Sequence, residues 1–284
     1  MNQLHRFLLK DLDIRGQHVV LQESWREMIA ERHYTPALQC LLGELTAVAV
    51  FLANGLKHEG KVTLQVQGKG PVSLLVVEAT NDLAIRGVAK ARETLDPSLE
   101  GMEALLGEGQ LVLTLYNSVT DRHYQSFVPR HGDSVAASFE HFFSQSDQLD
   151  TRLWLAASDQ AVGGLLLQKM PDADKKDADG WSRVVHLAET LKEDELLNLD
   201  AETLLHRLFH EETVELYPAR EVRYECPQDR ERVLAALKAM GEEEVRRILA
   251  QEGAVVVHNE LCNVHIKLDA ADVDTLFRDE TPQQ

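Results

Sequence analysis

The sequence predicts an α+β protein with three parts: a mixed strand and helix core domain over residues 1–170, a linker with amphipathic helices over 171–220, and a small C-terminal α+β module over 221–284. Three observations carry this. Val62-Thr63-Leu64-Gln65-Val66-Gln67 alternates apolar and polar residues, and Gly68-Lys69-Gly70-Pro71 joins it to a second run over 72–78, the signature of a half-buried hairpin. Residues 36–53 instead repeat Leu38, Leu41, Leu42, Leu45 and Ala49 at helical spacing. The stretch 171–180 is polar, charged and turn-rich, and beyond it the pattern turns helical.

Taken in order, residues 19–22 read as a short strand after an Arg15-Gly16 turn. Pro36 suits a helix first turn, and Asn54-Gly55 ends that helix. After the hairpin, residues 85–88, 110–116 and 124–129 add strands. Gly132-Asp133 is a turn, and Asp133 or Ser134 caps a helix over 135–145. Residues 151–157 and 164–170 read as two more strands, and 171–180 as a linker or exposed loop. Trp181, Val184, Val185, Leu187, Ala188 and Leu191 mark one amphipathic helix, and Leu204, Leu205, Leu208 and Phe209 a second, capped by Asp200 with Thr203 three residues on. The last module reads as helices over 231–240 and 242–251, strands over 254–258 and 265–268, and a closing segment over 272–277, with Gly241 and Gly253 as helix stops. A module of that size has a small core and needs a staple, a metal or a neighbour.

Hydrophobic residues make up 44% of the chain and charged residues 27%, ordinary for a globular protein. Asp plus Glu total 47 against 29 Lys plus Arg, a formal net charge of −18. Such a surface repels nucleic-acid phosphates and anionic lipid, so neither is an expected partner. Residues 1–10 lack the apolar run of a secretory signal, and the most apolar stretch, 45–53, is too short to span a bilayer. Three cysteines, Cys40, Cys226 and Cys262, are not a secreted disulfide framework, so a cytoplasmic location is expected. Cys40 falls on the apolar helical pattern and reads as core.

Enzyme signatures are lacking. The sequence contains neither a G-x-S-x-G elbow nor a P-loop, and the glycines of 68–70 and 107–109 sit between strands rather than before a helix. His210-Glu211-Glu212-Thr213-Val214 begins like a zinc-protease motif, but Val214 stands where the second histidine belongs. No nucleophile and base can be assembled, and the chain is not expected to be an enzyme.

One region is specific: Tyr224-Glu225-Cys226-Pro227-Gln228-Asp229-Arg230-Glu231-Arg232-Val233, then His258-Asn259-Glu260-Leu261-Cys262-Asn263-Val264-His265. It resembles the zinc module of the heat shock protein 33 family, which has a C-x-C pair, a two-helix insert and a C-x-x-C pair. Cys226 and Cys262 match the second cysteine of each pair. Tyr224 and Asn259 stand where the first members belong. The resemblance extends to Leu4-His5-Arg6-Phe7, residues 64–71, Arg86-Gly87-Val88-Ala89, residues 144–149, Thr151-Arg152-Leu153, Gly163-Gly164 and residues 204–212.

The resemblance implies a redox-regulated, ATP-independent holdase chaperone. It binds unfolding client proteins under oxidative or heat stress and dimerises when active. In that family four thiolates hold zinc, and oxidation to two disulfides ejects it and unfolds module and linker. With two ligand positions lost, zinc and redox control are expected to be weakened or absent, and no cofactor is assigned. Zinc would need Cys226 and Cys262 completed by His258 or His265, yet His258, next to Asn259 on a strand, points to the opposite face. Otherwise Tyr224 and Asn259 fill the former metal cavity by packing and hydrogen bonds. Cys226 and Cys262 then have three alternatives: one disulfide, inert remnants, or metal ligands. Trp181, Val184, Val185 and Leu187 are candidates for shielding the client surface, or plain core. A second reading is an adaptor of the same fold with specific partners and no stress activation.

Overall fold

The computed structural model describes residues 1–92, 94–146, 148–226 and 230–278. It divides into two compact units, 1–225 and 226–284.

The first unit opens with a hairpin of β1 (Asn2–Leu9) and β2 (Ile14–Leu21), then α1 (Glu23–Ile29) and α2 (Pro36–Asn54). There follow β3 (Gly60–Gly68), β4 (Val72–Thr80), β5 (Ala84–Ala91), α3 (Gly101–Leu106), β6 (Gly109–Asn117), β7 (Arg122–Val128), α4 (Val135–Ser146), β8 (Thr151–Ala157) and β9 (Val162–Lys169). Next come α5 (Ala173–Lys176), α6 (Gly180–Ala188), α7 (Glu193–Asn198) and α8 (Ala201–Phe209), and the unit closes with β10 (Val214–Leu216), β11 (Arg220–Glu221) and β12 (Arg223–Tyr224). The strands build two sheets, ordered β10-β1-β2-β9-β8 with β11 also on β1, and β12-β5-β4-β3-β6-β7.

The apolar alternation of β3 and β4 places Val62, Leu64, Val66, Leu75 and Val77 on one buried face. That face meets the far side of the first sheet across α2, whose Leu38, Leu42, Leu45, Val48 and Ala49 belong to the same core. The apolar run 45–53 thus belongs to a 19-residue helix, long and apolar enough to cross a membrane, and here two thirds buried (67%) in the protein.

The opposite face of the first sheet carries a second core: Phe7, Leu9, Ile14, Leu165 and Leu167 pack against Val184 and Ala188 of α6, Leu196 of α7, and Leu204, Leu205, Leu208 and Phe209 of α8. The sequence reading put a turn at Arg15-Gly16 and started the strand at 19, yet β2 begins at Ile14 and runs through Gly16. Gly16 lies opposite Phe7, and a Cβ there would fall 2.1 Å from Cζ of the Phe7 ring, so the glycine makes room for the ring and breaks nothing. Residues 171–180 hold the short helix α5 with Ala173 buried, where a loop was expected. Two predicted caps are present: the Ser134 hydroxyl accepts from the Ala137 N–H at 3.1 Å, and Asp200 Oδ1 from the Thr203 N–H at 2.8 Å. Asp133 serves α3 instead, where its carboxylate accepts from the Glu103 N–H.

The second unit contains α9 (Arg230–Met240), α10 (Glu242–Glu252), the antiparallel hairpin β13 (Val255–Asn259) and β14 (Val264–Leu268), and α11 (Ala270–Arg278). Gly253, in the left-handed region (φ 74°), closes α10 by donating its N–H to the Leu249 carbonyl at 2.9 Å. The buried core is small: Leu237, Val245, Val255, Leu268, Val273 and Leu276.

Candidate functional site: the C-terminal cysteines and the helical layer

The second unit begins at Cys226, and this residue is joined to Cys262 by a disulfide whose Cα atoms lie 5.6 Å apart. That separation is within the ordinary range for the bond. Cys226 is half-buried and Cys262 is buried in the turn of the β13–β14 hairpin. The turn has a local cause. Asn259 ends β13, and its carbonyl and side-chain oxygens both lie within reach of the Cys262 N–H, at 3.2 and 3.4 Å. Asn263 takes a left-handed conformation (φ 54°), which asparagine tolerates better than most residues, and the chain turns into β14. Asn259 therefore makes the turn that presents Cys262.

His258 and His265 face each other across the hairpin, Cα to Cα. Their rings stack with centroids 4.2 Å apart and planes 12° from parallel, and His258 Nε2 lies 3.2 Å from Asn263 Oδ1. Both side chains are exposed.

Tyr224 belongs to the first unit. It sits in β12, paired in parallel with β5 opposite Ile85, and its ring packs half-buried against the larger core beside the fully buried Val222. Burial holds its phenol above the ordinary range. Around it, Arg223 donates to the Asp82 carbonyl at 3.0 Å and pairs with the Asp82 carboxylate, while the Glu225 N–H donates to the Ile85 carbonyl at 3.1 Å.

The residues do not fit the zinc site that the family resemblance implies. A closed zinc site needs four donors, mostly thiolate or imidazole, converging on one point. Here the two sulfurs are bonded to each other, the two imidazoles stack together, and the former ligand positions hold a half-buried phenol and a turn-forming carboxamide. Among the described residues, no group of three His, Cys, Asp or Glu converges to hold a metal. Residues 227–229, part of the sequence match, lie outside the described residues, as does Asp147 of the stretch 144–149.

The four shielding candidates lie on α6. Val184 is fully buried against the sheet, Trp181 and Leu187 are half-buried in the same cluster, and Val185 is half-buried but not a member of it. Sequence reasoning missed that α8 contributes at least as much to this layer, through Leu204, Leu205, Leu208 and Phe209, and that α7 belongs to it. It also missed His18, on the sheet beneath. The helical spacing of 204–209 was visible, but which surface it covers was not.

Comparison with known proteins gives a consistent answer. The family profile described as Hsp33 protein matches residues 2–269. The 33 kDa chaperonin of Vibrio cholerae is 40% identical over 282 residues, covering 97% of this chain and 95% of the relative. That of Chromobacterium violaceum is 41% identical over 280 residues, covering 97% and 94%. Among solved structures, the crystal structure of the 33 kDa chaperonin from Thermotoga maritima superposes with a TM-score of 0.81, at 20% identity and over 98% of each chain, a likeness of fold. With a family match over nearly its whole length and relatives near 40% identity named as chaperonins, the chain belongs to the Hsp33 family of chaperones.

Proposed function

We propose that this chaperone is an ATP-independent holdase: it binds unfolding proteins on apolar surface and keeps them from aggregating under heat or oxidative stress. The observation that carries this reading is the second core of the first unit. There the apolar sheet face of Phe7, Leu9, Ile14, Leu165 and Leu167 is covered by three short helices, none longer than 9 residues. Helices this short have little stability of their own and depend on packing. The layer is therefore held by its packing on the sheet, and the face it would uncover on release is apolar and extended, as a holder of unfolded chains requires. Activation by warming, without a strict need for oxidation, follows from the poor fit to zinc: a module with no metal lacks the metal's contribution to its folding. The active form is a homodimer and works in the cytoplasm.

The test is light scattering from two unrelated client proteins aggregating at raised temperature, with the chaperone and no nucleotide. Suppression of both is expected. Suppression of neither, or of one alone, contradicts the reading, and the second result favours an adaptor with particular partners.

A further inference from the structure

In the second unit, the disulfide sits in the folded state. It joins the unit's first residue to the hairpin turn, across a sequence separation of 36 residues, with β13, β14 and three helices in place around it. In the redox-switch reading of this family, oxidation unfolds the module because the bonds form at the expense of a metal. Here the donors that such a metal needs are missing, and the bond closes within the native fold.

We propose that the redox response of this unit has the opposite sign: oxidation tightens it and reduction loosens it. Three observations support this. Among the described residues the core cluster of the unit has only six buried side chains, so a cross-link is a large share of what holds it. A bond between two cysteines that the fold already holds 5.6 Å apart, Cα to Cα, restricts the unfolded chain, and the effect grows with the length of the closed loop. Asn259, in place of a ligand, spends its carboxamide and carbonyl oxygens on the turn that presents Cys262 to Cys226. The chemistry is a two-electron exchange. A dithiol reductant breaks the Sγ–Sγ bond, leaving two thiols, and closes to its own cyclic disulfide. Hydrogen peroxide reverses this: two thiols give up two protons and two electrons, and the peroxide leaves as two waters. Cys226, half-buried, is the sulfur a reductant reaches. The inference concerns the folding of the unit and does not rest on the holding activity.

The test is hydrogen exchange read by mass spectrometry on the full chain, peroxide-treated and then dithiothreitol-reduced, with a chelator present in both states. On reduction, peptides from α9, α10, β13, β14 and α11 are expected to exchange faster by at least about tenfold, and by up to several hundred-fold if the loop-closure effect is fully realised. Peptides from residues 1–225 are the internal reference and keep their rates. The double variant Cys226→Ser, Cys262→Ser is expected to exchange at the fast rate in both conditions. If it does not fold, Cys226→Ser alone gives the same reading. Equal or greater protection after reduction overturns the proposal. So does recovery of protection when zinc is added to the reduced chain without chelator, because that would mean that a metal, not the bond, holds the unit.

Discussion

At His18 a histidine is buried to 1% exposure with no hydrogen-bond partner on either ring nitrogen among the described residues. It lies on β2 opposite His5 of β1 and Leu165 of β9, with the α8 cap Asp200 as the other charged group acting on it. Burial first, and the charge on His5 second, lower its pKa from 6.5 to about 4, against a weaker opposing pull from Asp200. The unfolded chain therefore takes up a proton as pH falls through 6.5 while the native protein does not. Stability on this account declines from pH 6.5 down to about 4, by roughly 3 kcal/mol in all. Glu44 on α2 works in the other direction: burial raises its carboxyl to about 7, so its penalty is present above pH 7 and fades as the pH falls to its ordinary value. The two oppose each other, and the clean test compares His18→Leu with the parent. Denaturant midpoints measured between pH 4 and 7 are expected to fall less steeply towards acid in the variant. An unchanged slope would show that His18 is not the group responsible. Nothing in the sequence distinguished His18 from eleven other histidines, because its isolation comes from the pairing of β1, β2 and β9 and from the helices laid over them.

Among the elements, those with long, strongly periodic patterns were legible in the sequence. The β3–β4 hairpin and α2 lie within one or two residues of expectation, because alternation and helical spacing alone define them. What the sequence hid was local structure decided by distant partners. Gly16 looked like a turn, because its role as a gap for the Phe7 ring depends on strand register. The short α1 and α7, and the strands β10 to β12, were too brief to show a period. The candidate site divides the same way. Cys226 and Cys262 were identifiable by resemblance, but their bond depends on the hairpin turn made by Asn259, and spatial distance was not readable. Two predictions belong to this scale. Asp200→Ala removes the cap of α8 and is expected to cost about 1 kcal/mol, seen as faster amide exchange in α8 with the second sheet unchanged. Leu268→Ala, in the core of the second unit, is expected to cost roughly 2–5 kcal/mol. A unit of this size has little more than that to lose. Circular dichroism and limited proteolysis should then report the C-terminal unit open while residues 1–225 stay folded. Cleavage spread over both units would contradict it.

For the whole molecule, the division of labour is between a large first unit with two well-filled cores and a second unit held by a small core and one covalent bond. The net charge of −18 gives the molecule a surface that repels other polyanions. Family membership establishes a chaperone, and the route proposed for holding is release of α6, α7 and α8 from the sheet face they cover. The most direct measurement is amide exchange in those three helices while the protein is warmed with an aggregating client. The account predicts that protection in residues 180–209 falls at the temperature where client scattering is first suppressed, while β3, β4 and β6 stay protected. Suppression of scattering with the helical layer still fully protected would place the client elsewhere and contradict it.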